Sequence, residues 1–261
     1  MIIDTHAHLM FPEFKDDLNE VLKRAKDLGI EKIVNVGCDF KSCRQSVEMG
    51  NKYSELFSTL GMHPYEAELV NEELMNEWRK IISENKKIVA IGECGLDYFK
   101  AKVEREVQKK AFRLQVELAK EFELPLIVHN RDADNDSLAI LDEMFADGKK
   151  VPVVFHCYGS DLEFARKLWD RGIMTSFTGI VTYPNAKELK KVVEEVPMDL
   201  FMVETDCPYL APQSYRGKRN ESSYVTEVVR EVARLKGMLF KDVEKVSTEN
   251  AFKFFQKISK E

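Results

Sequence analysis

The 261-residue sequence has no excess of positive charge, no long apolar run, no glycine-rich phosphate loop and no paired cysteines. Lys and Arg number 39 against 45 Asp and Glu, a net charge of −6, so any polyanion would have to be met by a local basic patch. No apolar stretch approaches the roughly 20 residues that span a bilayer. The opening Met1-Ile2-Ile3-Asp4 carries neither a basic start nor an extended apolar segment, so the expectation is a cytoplasmic protein with no secretory signal and no membrane association. Five cysteines, odd in number and without C-x-x-C spacing, argue against a disulfide framework or a cysteine zinc knuckle. The missing G-x-G-x-x-G and G-x-x-x-x-G-K-[ST] loops weaken nucleotide-fold readings. With no Pro/Ser-rich linker to divide it, the chain is expected to form a single domain over 1–261, and nothing in it calls for a protein partner.

What is present is a regular alternation of short β-branched runs with longer amphipathic stretches. Strands are expected at 1–5, 32–37, 56–62, 88–93, 125–129, 151–156, 173–177 and 200–205. Helical patterns fall at 12–28, 41–52, 71–84, 103–122, 133–146, 160–171 and 185–195, then at 224–235 and 243–257. Each crossover is long enough for a βαβ unit. Eight such units in about 250 residues predict an α/β fold, a (β/α)8 TIM barrel with an extra C-terminal helix. A doubly wound open sheet is the rival arrangement.

All five histidines fall at the ends of expected strands: His6 and His8 after MIIDT, His63 after FSTLGM, His129 after PLIV and His156 after PVVF. Those ends carry the active site of such a barrel. A lone histidine there is more often a hydrogen-bonded structural residue, but five of five favour a shared cluster. Residues i and i+2 of a strand share a face, so His6 and His8 both point inward, as do His129 with Arg131 and Glu204 with Asp206. Glu93 adds a carboxylate at the fourth strand, and Asp4, deeper in the first, is expected to orient a histidine. His6, His8, Glu93, His129, His156 and Asp206 are too many ligands for one tetrahedral zinc; they suit two adjacent divalent ions. On that reading Asp206 is the general base for a water activated by both ions, and Arg131 offers a planar fork to an anionic substrate group. For Arg131 the bland alternative is a salt bridge to Asp132 or Asp136. Glu204, Arg216, Lys218 and Arg219 complete the expected substrate-facing set, with Tyr98, Phe99, Tyr158 and Tyr209 as stacking faces.

The motifs DTHAHL, GMHP, IGECGLDY, HNRDA, FHCY and ETDCPYLAP with RGKRNE occur in that order from Ile3 to about Phe255. Together they resemble the TatD family of metal-dependent deoxyribonucleases, within the amidohydrolase-like TIM-barrel hydrolases. The resemblance implies the same six metal ligands with Glu93 bridging, and a substrate contact for His63. It further implies a DNA substrate, taken as single strands or 3′ ends by a 3′–5′ exonuclease. The alternative is the same centre acting on a carboxyl ester or amide, such as an aminoacyl-tRNA, because metal-activated hydroxide attacks carbonyls as readily as phosphorus. A non-catalytic barrel is the third possibility, disfavoured by the completeness of the ligand set. Four imidazoles favour zinc, cobalt, nickel or manganese over magnesium, the ion usually associated with nuclease work in the family. Ser222 and the run Tyr158-Gly159-Ser160 depart from the family pattern, in loops.

Overall fold

The computed structural model describes residues 1–258. Eight strands pair in parallel in sequence order: β1 (Ile2–Ala7), β2 (Ile30–Asn35), β3 (Leu56–Leu60), β4 (Ile88–Asp97), β5 (Leu126–Arg131), β6 (Val153–Phe155), β7 (Met174–Phe177) and β8 (Phe201–Val203). The ring closes where Ala7 bridges Cys207 in parallel register, with Asp206 N–H donating to His6 O and His8 N–H to Cys207 O, both at 2.8 Å. Helices α1 (Leu18–Asp27), α2 (Phe40–Lys52), α3 (Glu72–Glu84), α4 (Arg105–Phe122), α5 (Asp134–Met144), α6 (Leu162–Trp169), α7 (Lys187–Glu195) and α8 (Val225–Lys236) follow the strands in turn. The chain is a (β/α)8 barrel, and α9 (Phe240–Phe254) is the extra helix.

Two apolar layers hold it. The larger lies between strands and helices, where Val21, Leu22 and Ala25 of α1 or Val228, Val229 and Val232 of α8 recur at helical spacing. The smaller fills the barrel interior with Ile3, Val34, Val89, Ile127, Val154 and Met202, and Phe254, Phe255 and Ile258 close the floor beneath them. The opposite end is left to the βα loops.

The expected elements differ from the observed ones in three places that matter for the site. The segment 12–28 is a 3-10 turn (Pro12–Phe14) followed by α1, because Arg219 bonds Glu13 O and the Asp17 carboxylate and pins the chain between the two. β4 does not stop at Glu93: Cys94 to Asp97 continue pairing with Val128 to Arg131 of β5. That continuation needs glycine at 95, where φ is +139° and a Cβ would stand 2.0 Å from His129 O. In β1, Ile3 belongs to the interior cluster while His6 and His8, of the opposite parity, reach the loop end; the register is irregular between Asp4 and Ala7.

Candidate metal centre

Glu93 is buried at the centre of the loop end, and its two carboxylate oxygens face different histidines. Oε1 lies 2.8 Å from His156 Nε2, 2.9 Å from His129 Nδ1 and 3.7 Å from His63 Nε2. Oε2 lies 3.5 Å from His6 Nε2 and 3.9 Å from His8 Nε2. Asp206 Oδ1 stands across from that second pair, 3.2 Å from His8 Nε2 and 3.7 Å from His6 Nε2. The rings of His6 and His156 stack at 4.1 Å and 12°. Three sets of potential donors each lie within 4.8 Å of one another: His6, His8 and Glu93; His6, His156 and Asp206; His63, Glu93 and His129.

The protonation pattern suits cations. His8 Nδ1 donates to Val36 O at 2.7 Å, so in the neutral ring Nε2 is the acceptor atom, and it faces His6 Nε2 at 3.3 Å and Asp206 Oδ1 at 3.2 Å. His6 Nδ1 and His156 Nδ1 are buried without a hydrogen-bond partner. Burial pushes the Glu93 carboxyl up, yet the charge of His156 and bonds from His129, His156 and His6 outweigh it and hold the group well below the usual carboxylate range. Burial likewise opposes ionisation of Asp206, and His8 and His6 reverse it. Those histidines meet the carboxylates as proton donors here; a divalent cation would be held in place of the protons by the same converging imidazole nitrogens and ionised carboxylates, an N/O donor set, so the residues present fit the group.

The sequence pattern of the family described as "TatD related DNase" matches residues 3–256. The chain belongs to the TatD family. The metal-dependent hydrolase YabD of Bacillus subtilis is 44% identical over 98% of this chain and 99% of its own length. The metal-dependent hydrolase YcfH of Escherichia coli K12 is 33% identical over 97% and 95%. Among solved structures, the TatD homologue YJJV of Escherichia coli K12 superposes with a TM-score of 0.91 at 25% identity, covering 98% of each chain. Like these TatD relatives, the protein is a metal-dependent hydrolase.

His63 sits within this cluster, but its Nδ1 accepts from Tyr65 N–H at 3.2 Å, which puts the proton of the neutral ring on Nε2. Burial, the largest influence, pushes the group down to about 4. His63 therefore offers an N–H donor and no lone pair to the centre. Glu204, expected to touch substrate, is 2% exposed and lies behind His156: its Oε1 accepts from Cys157 N–H at 2.7 Å and stands 3.6 Å from His156 Nδ1. Asp4 does not meet a histidine ring. Its carboxylate accepts from Thr205 N–H at 2.9 Å and Thr205 Oγ1–H at 2.7 Å, which fixes the backbone leading to Asp206.

The expected basic patch is divided. Arg219, half-buried, is committed to the protein's own chain, bonding both Asp17 oxygens at 2.7 and 2.6 Å and lying over the Phe14 ring, which takes up the fork it would offer a substrate. Arg216 lies 4.1 Å from the Tyr183 ring centre and Lys218 6.0 Å from that of Tyr215. Arg131 stacks at 4.2 Å on Phe99; Asp136 bonds Lys109 and Tyr98 instead of Arg131. Tyr158 is buried with its hydroxyl on Asp161 O, which removes it as a stacking face. Among the described residues the exposed aromatics are Tyr65 at 45%, Phe99 at 61% and Tyr209 at 51%, each in the loop after β3, β4 or β8. Phe11 stacks on His8 at 4.9 Å and shares with Tyr209, Met10, Met49 and Lys41 a groove of about 840 Å³.

Sequence reasoning missed Asp97. This buried carboxylate accepts from Phe99 N–H and Lys100 N–H and lies 3.2 Å from His129 Nε2. The signal was available, because Glu93, Gly95 and Asp97 share one face if the strand runs on, but Gly95 reads as the end of a strand.

Proposed function

We propose that this TatD-family hydrolase cleaves DNA phosphodiester bonds, working from single-stranded 3′ ends, with two divalent ions. His6, His8 and Asp206 would hold one ion and His129 and His156 the other, with Glu93 between them. The division of Glu93 Oε1 and Oε2 between two groups of histidines carries this reading. When bound, such ions acidify water from a pKa of about 15.7 towards about 7 and polarise a phosphoryl oxygen. Zinc or manganese suits four imidazoles better than magnesium does.

The chain's own residues supply the rest. Asp206, with a side chain 14% exposed against 6% for Glu93, is the carboxylate open to the loop end and accepts the proton of the attacking water. The Nε2–H of His63 donates to an oxygen of the scissile phosphate. The Arg131 guanidinium, held over the Phe99 ring, pairs with a neighbouring phosphate in a bidentate fork. Phe99, Tyr65 and Tyr209 offer faces to unpaired bases, and the groove beside Phe11 has room for a nucleotide. Exposed aromatics beside a cation suit single strands, whose bases are free to stack.

Among the described residues no helix is long and apolar enough to cross a membrane. The unpaired thiols of the five cysteines accord with a cytoplasmic location.

The test is digestion of 3′- and 5′-end-labelled single-stranded DNA with zinc, manganese or magnesium, beside an aminoacyl-tRNA control. Stepwise shortening from the 3′ end, abolished by chelator, is the expected result. Intact DNA with every metal, alongside cleaved aminoacyl-tRNA, would overturn the phosphodiester reading.

A further inference from the structure

Three of the proposed ligand imidazoles, those of His6, His8 and His156, turn Nε2 to the centre, but His129 turns Nδ1. A carboxylate explains the difference. Asp97 Oδ1 is occupied by Phe99 N–H at 2.9 Å and Lys100 N–H at 2.6 Å, and its Oδ2 faces His129 Nε2 at 3.2 Å. Nδ1 lies 2.9 Å from Glu93 Oε1, so both ring nitrogens face carboxylates, and an ionised carboxylate can only accept; where a metal takes the place of the proton between Nδ1 and Glu93, the one hydrogen of the neutral ring stays on Nε2, facing Asp97. The backbone of Asp97 is fixed as well: its N–H donates to Gln108 Oε1 at 2.9 Å, and Gln108 Nε2 donates back to its carbonyl at 3.2 Å.

The same oxygen, Oδ2, accepts from Tyr65 Oη–H at 3.3 Å. Tyr65 in turn holds His63 twice, by its N–H on Nδ1 and by its ring, edge-on to the imidazole at 4.2 Å and 73°. One carboxylate thus touches the histidine that faces the metal and, through one residue, the histidine that faces substrate.

We propose that Asp97 is a positioning residue that makes Nδ1 the metal-binding atom of His129 and, through Tyr65, sets the His63 loop in register with it. The inference rests on the two-ion reading above. Outer carboxylates of this kind orient a ligand imidazole and raise its basicity, and losing one typically weakens metal binding about 10- to 100-fold.

Zinc, being diamagnetic, allows two measurements on the whole chain. In long-range ¹H–¹⁵N spectra of the zinc-loaded protein, His129 is expected to carry its proton on Nε2, in contrast to His8, whose proton sits on Nδ1. In calorimetric zinc titrations, Asp97→Asn and Asp97→Ala are expected to weaken one of two zinc sites about 10- to 100-fold and leave the other within about twofold. Tyr65→Phe should leave both zinc sites intact and change the His63 ring signals. A proton on His129 Nδ1, or unchanged zinc binding in both Asp97 variants, would overturn the proposal. The wild-type spectrum decides the tautomer even where a variant fails to fold. A wild-type stoichiometry of one zinc would count against the two-ion reading alone, since the His129 tautomer still judges Asp97.

Discussion

Asp206 Oδ1 lies 3.2 Å from His8 Nε2, and the backbone N–H of Asp206 donates to His6 O at 2.8 Å. The carboxylate and the H-x-H pair are thereby fixed to each other across the seam that closes the barrel. Asp206→Asn keeps the shape and removes the proton acceptor. Turnover of single-stranded DNA is expected to fall about 10²- to 10⁴-fold, while far-UV circular dichroism and Tm in the absence of metal stay close to wild type. A variant that digests end-labelled DNA at the wild-type rate would rule Asp206 out as the base.

Divalent metal should stabilise the folded chain by mass action, about 2.7 kcal/mol at a concentration 100 times Kd. Thermal scans with chelator and then with manganese or zinc are expected to show a rise in Tm. Glu93→Gln, which removes the shared negative charge, should suppress most of that rise. If the shift survives the substitution, Glu93 does not hold metal.

Gly95→Ala tests how β4 reaches past Glu93. The added methyl would meet His129 O at 2.0 Å on a residue whose φ is +139°. A loss of at least about 2 kcal/mol in urea denaturation is expected, together with weakened metal binding, because β5 must move and His129 moves with it. Wild-type stability would show that the strands accommodate the methyl.

Arg131→Ala and Phe99→Ala dismantle the stacked pair at the mouth. Each is expected to raise KM for single-stranded DNA about tenfold, in line with about 1–3 kcal/mol per stacked base, without changing zinc stoichiometry. Steady-state kinetics at two salt concentrations would separate the roles: loss of Arg131 should also flatten the salt dependence. An unchanged KM in both variants would remove this pair from the substrate path.

The Asp17 carboxyl is held below its ordinary range by the bond from Arg219, aided by Arg24. A depressed folded-state value stabilises the fold above the unfolded pKa, about 3.9, and that stability is lost as pH falls through the lower folded value. Asp17→Asn should therefore cost under about 1 kcal/mol at pH 7, as partly exposed pairs do. The Tm gap between variant and wild type should shrink as pH is lowered beneath about 4. A gap that is constant with pH would assign the effect to packing.

The barrel and the six clustered groups were legible because periodicity marks strands and helices, and because His6, His8, Glu93, His129, His156 and Asp206 all follow apolar runs. Alternation could not show what Asp4 would bond: in the irregular stretch of β1 between Asp4 and Ala7 its carboxylate accepts from Thr205 and, at 3.5 Å, from the His6 backbone N–H, and it meets no histidine ring. Alternation also could not show that Glu204 would be covered by the chain at Cys157. Arg219 looks like its neighbours Arg216 and Lys218 in a linear string. Its commitment to Asp17 is a contact between residues 202 positions apart, and no local pattern records it. Asp97 was hidden by Gly95, which here permits close approach of two strands and does not end one.

The floor beneath Ile3, Val154 and Met202 is made by Phe254, Phe255 and Ile258. During synthesis all eight strands have emerged once residue 203 is free of the ribosome, yet the greasy hole at the base stays uncovered for about fifty residues more, a few seconds at ~5–20 residues per second. The apolar interior is sealed only when α9 is in place, and α9 is the stopper of the barrel.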